Sequence, residues 1–246
     1  MGSLSLNQAR QWLKSSEHPL AQATLRGLRA SRRFELPLPH AVAASLYTGY
    51  RGVRGMLAGI ARALLWTPLF KGRLSAAGKN TYLYGGLPYI SGPLQIRIGE
   101  DCRISGQTTF SGRTCAPRPP QLQVGDNVDI GWMTTIAVGS RVHLGNNVRI
   151  AGRSLLAGYP GHPLDAAERA AGLPESDQQV GDIVLHDDVW LATGVMVMAG
   201  VEIGAGTIVA AGSVVTHSLP ANVLAGGVPA RVIRPLGARQ EREQAA

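Results

Sequence analysis

The chain has 246 residues, of which only 16% are charged, against about 25% in an average soluble domain. With 31 glycines, 5% aromatics and two cysteines, it excludes an acidic disordered chain, a coiled coil and a disulfide-rich secreted module. The net charge of +8 is uneven: residues 1–80 hold 12 Lys+Arg against 2 Asp+Glu, whereas residues 81–246 hold 12 against 14.

Met1 to Glu17 lacks the basic-then-apolar order of a secretion signal. From Leu6 to Ser31 the spacing of Trp12, Leu13, Leu20, Leu25 and Leu28 predicts helix, and Pro37 and Pro39 then break the chain. Residues 40–70 are apolar but interrupted by Arg51, Arg54 and Arg62, so no stretch meets the standard of about 20 apolar residues for a span. Leu57, Ile60, Leu64 and Leu65 fall at helical spacing, with Trp66 and Phe70 at the end. Such a helix suits two settings. It lies in the interface of an anionic membrane with its arginines at head groups, or it packs on the rest of the protein or a sister subunit. Nucleic acid is not expected, because no helix-turn-helix, zinc or aromatic-basic signature accompanies the arginines. Cys102 and Cys115 form neither a disulfide framework nor a zinc pattern, which points to a reducing, cytoplasmic setting.

The second half repeats every six residues. Leu185, Leu191, Val197, Ile203, Val209 and Val215 mark the period, and Val189, Val195, Val201, Thr207 and Ser213 follow the first five by four positions. A six-residue period with an aliphatic anchor predicts a β-helix in which three hexapeptides make one triangular coil, with small residues at the corners. Upstream, Ile98, Ile104 and Phe110 share one phase, and Val124, Ile130, Ile136, Val142 and Val148 share another. Two excursions separate the runs: 111–123, with Pro117, Pro119 and Pro120, and 152–182, with a helical turn expected around Ala166–Ala171. The resulting division is a helical basic region over 1–80, a β-helix over 81–236 and a flexible tail over 237–246.

Of six histidines, only His162 lies on an excursion, between Gly161, which permits close backbone approach, and Pro163, which stiffens the residues after it. Asp165, three residues on, has the spacing of an N-cap for the helical turn and also of a carboxylate–imidazole pair; the cap is the expectation. His18 and His40 fall in the helical region. His143 and His186 neighbour the anchors Val142 and Leu185 and should face outward.

The run Ile183–Leu236, with Asp188-Val189-Trp190 at its opening and Ala225-Gly226-Gly227-Val228-Pro229-Ala230-Arg231 at its close, resembles the hexapeptide-repeat acyltransferases. The galactoside, maltose and xenobiotic acetyltransferase group is the nearest in pattern. Gly161-His162-Pro163 resembles that group's catalytic motif, and the resemblance covers roughly residues 94–236. It implies a mainly β fold, a left-handed parallel β-helix with an α-helical N-terminal extension, assembled as a homotrimer. It also implies acetyl-CoA as co-substrate, with no permanently bound cofactor and no metal. His162 would then be the general base for a sugar hydroxyl, a role suited to an imidazole, and transfer would be direct. By the same resemblance Thr193 and Gly194 would supply a backbone donor to the oxyanion, Trp190 would wall the cleft, and Ala211 and Thr216 would meet the pantetheine arm. Arg231 would meet coenzyme phosphates. His217, just past the last anchor, sits where by the same resemblance coenzyme would pass. Short sugar acetyltransferases carry asparagine and aspartate one coil before the histidine loop; here Gly131, Met133 and Val138–Gly139 stand there, so the acceptor contacts do not carry over.

The expected function is O-acetylation of a glycan in bacterial polysaccharide or glycolipid biosynthesis, in the cytoplasm or peripherally at the inner membrane face. The alternatives are a non-catalytic β-helix assembly protein and a γ-class carbonic anhydrase-like metalloenzyme. The latter needs a histidine pair five residues apart, and His143, His162 and His186 do not supply one.

Overall fold

The computed structural model describes residues 5–237, so the tail expected over 237–246 lies, from residue 238 on, outside the described residues. The chain forms two compact units, one through Arg54 and one from Gly55.

In the first unit, the helix expected over 6–31 is two helices. Helix α1 (Leu6–Ser15) starts at a capping box in which Ser5 and Gln8 exchange side-chain and backbone bonds. Helix α2 (Pro19–Arg33) starts with Pro19 at its first turn, where a missing N–H costs nothing. The break falls at Ser16–His18, because a proline at position 19 cannot continue a helix from α1. After Pro37 and Pro39, helix α3 (His40–Ala61) begins and runs across the boundary between the units.

The second unit continues from α3 through a π-helical turn (Arg62–Trp66) into α4 (Thr67–Arg73). Phe70 of α4 is buried and meets Phe110 with ring centroids 6.5 Å apart, so α4 closes one end of the core. Six coils of parallel strands follow. They are β1–β3 (Ala76–Ala77, Tyr82–Tyr84, Tyr89–Ser91), β4–β6 (Gln95–Ile98, Arg103–Ser105, Thr109–Gly112), β7–β9 (Gln121–Val124, Asp129–Ile130, Thr135–Val138), β10–β12 (Arg141–Leu144, Arg149–Ile150, Leu155–Ala157), β13–β15 (Ile183–Leu185, Trp190–Leu191, Met196–Met198) and β16–β18 (Glu202–Ile203, Ile208–Val209, Val214–Val215). A hairpin of β19 (Val223–Gly227) and β20 (Ala230–Pro235) ends the prism.

Stacking every third strand makes three faces. The first joins β1, β4, β7, β10, β13 and β16; the second joins β2, β5, β8, β11, β14 and β17 and adds the hairpin; the third joins β3, β6, β9, β12, β15 and β18. All six anchors of the uninterrupted run are fully buried. At roughly 1.5–3 kcal/mol for each fully buried aliphatic side chain, this column supplies the driving force for a fold with few long elements. Val189, Val195, Val201, Thr207 and Ser213 are buried as well, pointing inward from the turn that precedes each strand.

The register corrects the upstream phase. Ile98, Val124, Leu144 and Leu185 stack on the first face, and Ile104, Ile130, Ile150 and Leu191 on the second. The anchors of the fourth coil are therefore Leu144, Ile150 and Leu156, not Val142 and Val148. The turn at Gly139–Ser140 moves the frame by two residues. Val142 remains buried because a strand of four presents two residues inward, and Val148 because it points inward from the turn before β11.

Corner backbones are left-handed. Asp101, Asn127, Asn147 and Asp188 have φ between 54° and 62°, a region that Asn and Asp tolerate better than other side chains. The side chains of the last three form a ladder: Asn127 Nδ2 donates to Asn147 Oδ1 at 2.8 Å, and Asn147 Nδ2 to Asp188 Oδ1 at 2.9 Å.

Candidate active site

Both excursions leave the prism at the same corner, between the third and first faces. The shorter spans residues 113–120, between β6 and β7, and the longer spans 158–182, between β12 and β13. Residues 152–157, expected on the longer one, instead complete the fourth coil. The turn at Gly139–Ser140 lies on this corner between them. Arg113 of the shorter excursion crosses to the longer: Nε donates to Glu175 Oε1 and NH1 to Asp177 Oδ1, both at 2.5 Å, and NH2 to the Glu175 carbonyl at 3.0 Å. Arg113 and Glu175 are both nearly inaccessible to solvent. Burial works against the guanidinium's charge, but Asp177 and Glu175 outweigh it and hold its pKa above the ordinary value.

His162 is exposed on this clasped excursion, in a turn fixed at several points. Gly161 takes φ +82°, Pro163 is buried, and Gln179 Nε2 donates to the His162 carbonyl at 3.2 Å. Asp165 caps helix α5 (Ala166–Ala170), accepting from the Glu168 amide at 2.9 Å. The carboxylate is thus committed to the backbone, as the cap reading expects. Arg169 of α5 donates to the carbonyls of Pro163 and Leu164 and braces the segment just after the imidazole. A cavity of about 480 Å³ opens between the excursions, lined among others by Pro117, Arg118, Ser140, Arg141, Asp177 and Asp182.

The remaining sequence-predicted positions fall elsewhere on the prism. Thr193, Gly194 and Ala211 line the corner between the second and third faces, stacked with Gly212, whose amide donates to the Thr193 carbonyl at 2.9 Å. Trp190 is exposed on the outer side of the second face, in register with Arg149 and Ile208. Thr216 follows β18 at the corner that carries the excursions, and its hydroxyl contacts His217 Nδ1 at 2.9 Å. Arg231, on β20, shares a groove of about 300 Å³ with His217, Ser218 and Pro220. So Thr216, His217 and Arg231 come together at the last coil, while His162 and the Thr193–Gly194 turn are separated by the width of the third face. His143 and His186 face outward from the first face, His186 reaching Glu202 at 2.5 Å. Burial, Arg141 and His186 together lower the His143 pKa.

Residues 182–217, the fifth and sixth coils, match the bacterial transferase hexapeptide (six repeats) family. The chain is a hexapeptide-repeat protein. It is 34% identical over 144 residues to galactoside O-acetyltransferase of Escherichia coli K12, covering 58% of this chain and 66% of that relative. It is 36% identical over 115 residues to the putative acetyltransferase YJL218W of Saccharomyces cerevisiae, covering 47% and 56%. The chain thus spans less than two thirds of the length of either relative. Among solved structures, the hexapeptide prism resembles a variant of AntD, an N-acyltransferase from Bacillus cereus crystallised with dTDP-4-amino-4,6-dideoxyglucose and coenzyme A. Identity is 21% and the TM-score 0.57, with 73% of this chain and 93% of that one covered, which fixes the fold as the left-handed β-helix.

Within the hexapeptide frame, sequence reasoning missed Arg113, Glu175, Arg169 and Gln179. Only the shared corner makes them neighbours; Arg113 and Glu175 are 62 residues apart in the chain, and no local pattern pairs them. Among the described residues no group of three His, Cys, Asp or Glu side chains converges as metal ligands.

Proposed function

We propose that this chain is an acetyl-CoA-dependent O-acetyltransferase that acetylates a sugar hydroxyl in bacterial polysaccharide or glycolipid biosynthesis. The observation that carries the reading is the clasped excursion, which exposes His162 on a turn braced by Gln179, Asp165 and Arg169. The His162 imidazole takes the proton of the acceptor hydroxyl as its oxygen attacks the thioester carbonyl. The C–S bond then breaks, and the leaving thiolate recovers the proton from the imidazolium. No acyl-enzyme forms. The Gly194 amide donates to the Gly152 carbonyl, which leaves the Thr193 N–H of this turn as the one for the oxyanion; Ala211 and Thr216 border the pantetheine arm, Trp190 walls the cleft, and Arg231 takes coenzyme phosphate.

A sugar acceptor is supported by the cavity between the excursions. Arg118 offers donors there, and Asp177 and Asp182, held by Arg113 and by Ser140 and Arg141, keep further lone pairs for hydroxyls beside the flat proline rings, a mixture suited to a polyhydroxylated ligand. Two of its lining residues, Asp177 and Val180, flank the stretch from which Gln179 grips His162.

A homotrimer is supported by the third face. Its outward residues are uncharged: Thr109, Thr135, Leu155, Met196 and Val214 in one row, Ser111, Ala137, Ala157 and Met198 in the next. The other two faces carry Arg97, Arg141 and Glu202, or Arg103, Asp129 and Arg149. A neighbour seated against the uncharged face would bring its own corner residues toward His162. The protein works in the cytoplasm in this reading, with peripheral contact at the inner membrane face through residues 40–70.

The test is acetyl-CoA binding and turnover by wild type beside His162→Ala. Binding by both, with turnover roughly 10²–10⁴-fold lower in the variant, is expected. Binding by neither, or equal turnover, overturns the reading.

A further inference from the structure

No residue of α3 is buried, although it is the longest helix among the described residues. Val42, Leu46, Tyr50, Val53, Leu57 and Ile60 are each 46–60% exposed. At about 100° per residue these six fall within an arc of about 80°. Arg54 lies about 40° and Arg51 about 100° beyond the same edge of that arc, and the far side carries Ala44, Thr48, Gly52, Gly55 and Gly59. Tyr47 and Met56, also exposed, lie about 60° beyond one edge of the arc and about 40° beyond the other, so the apolar bulk covers one half of the helix, with Arg54 inside its border and Arg51 over the Tyr47 ring. No helix among the described residues is long and apolar enough to cross a membrane.

Charge decides the occupant of this face. From residue 36 to residue 99 the sequence has no Asp or Glu and seven Lys or Arg. A second copy of α3 would set arginines against arginines, with no carboxylate on either helix to pair across the seam, the opposite of the complementary flanks that join helices. An anionic bilayer matches both parts, apolar side chains entering the acyl boundary and guanidinium groups meeting lipid phosphates. In the same N-terminal unit, Arg10, Lys14, Arg29 and Arg32 of α1 and α2 surround a cleft of about 250 Å³ floored by Leu13 and Leu25, adding positive charge of the same sense.

We infer that α3 is an interfacial membrane-binding helix, lying on an anionic bilayer with its Val42–Ile60 stripe inserted and Arg51 and Arg54 at the phosphates. This deepens the peripheral contact of the proposed function by naming the residues and the lipid chemistry. Only its consequence, that the acceptor is a lipid-linked glycan, rests on the acetyltransferase reading.

The test is co-sedimentation of the full chain with vesicles of phosphatidylcholine containing 30% phosphatidylglycerol, beside vesicles of phosphatidylcholine alone. Wild type is expected to bind the anionic vesicles at least tenfold more tightly, with affinity falling as salt rises. Leu46→Asp/Leu57→Asp should abolish binding, and Arg51→Ala/Arg54→Ala should weaken it by ~30-fold, the weight of two arginines near an anionic surface. All four positions are exposed, and unchanged circular dichroism confirms that the variants fold. His162→Ala should sediment as wild type, which separates this proposal from the catalytic one. Wild type ignoring anionic vesicles, binding unaffected by the aspartates, or aspartates that only lower the oligomer mass would each overturn it, the last in favour of a second copy.

Discussion

Arg113→Met tests whether the two excursions hold each other. In the folded chain Arg113 satisfies a carboxylate and a carbonyl of Glu175 and the carboxylate of Asp177. Asp177 is largely solvated and loses little, whereas Glu175 is only 6% exposed and would be left without its cation. Removing one member of a buried pair costs about 3–5 kcal/mol. The prism need not bear that cost, because the excursion can swing off and hydrate Glu175. At 1.4 kcal/mol per decade, even the lower figure raises the open population by ~10²-fold. Trypsin reads the opening at Arg169, whose side chain is tied to the Pro163 and Leu164 carbonyls while the segment is closed. Cleavage after Arg169, followed by mass spectrometry under native conditions, should accelerate by about two orders of magnitude. The thermal midpoint of the prism should stay within a few degrees. Arg113→Lys should fall between, since an ammonium cannot serve both carboxylates and the carbonyl at once. Unchanged cleavage in Arg113→Met, with a large fall in midpoint, would refute the clasp and make Arg113 a part of the core.

Three further outcomes are expected. Leu191→Ala removes a fully buried anchor in the middle of the uninterrupted run and should cost about 2–5 kcal/mol in denaturant unfolding; a loss below 1 kcal/mol would contradict a close-packed prism. Asn147→Ala deletes two rungs of the corner ladder at φ +58° and should destabilise by about 1–3 kcal/mol, while Asn147→Gly, which keeps the backbone at ease, should lose less; the reverse order would count against the strain. His143 binds its proton less readily folded than unfolded, first through burial and then through Arg141 and His186. Stability should therefore be complete above the unfolded histidine pKa of about 6.5 and decline as pH drops from there toward the lowered folded value. His143→Gln should flatten that decline in denaturation series at pH 7.5 and 5.5, and an unaltered slope would place the cause elsewhere.

The prism was legible in the sequence because a three-sided coil repeats its inward position at a fixed interval, so Leu185 to Val215 announce themselves one by one. The frame of the fourth coil was not. Val142 and Val148 continue the count from Ile136, and nothing local distinguishes them from Leu144 and Ile150, since strands such as Arg141–Leu144 turn two residues inward. Only stacking on Val124 and Leu185 selects Leu144. The split of the first helix was legible in principle, because Pro19 stands where a helix can begin but not continue.

The site followed the same division between local and stacked information. His162 could be picked out because Gly161 and Pro163 beside it are local signals, and Asp165 because a cap acts three residues away. The clasp is different in kind. Its partners meet because two excursions leave one corner with two coils and a single short turn between them, so their encounter depends on the stacking of the coils rather than on any motif. This corner takes extra residues outward without disturbing the strands, since Val124 and Leu185 still stack inward after excursions of very different length. The Gly161-His162-Pro163 motif is written in adjacent residues, but whether it is held still is decided by contacts such as Arg113 with Glu175, which only the stacked coils bring together.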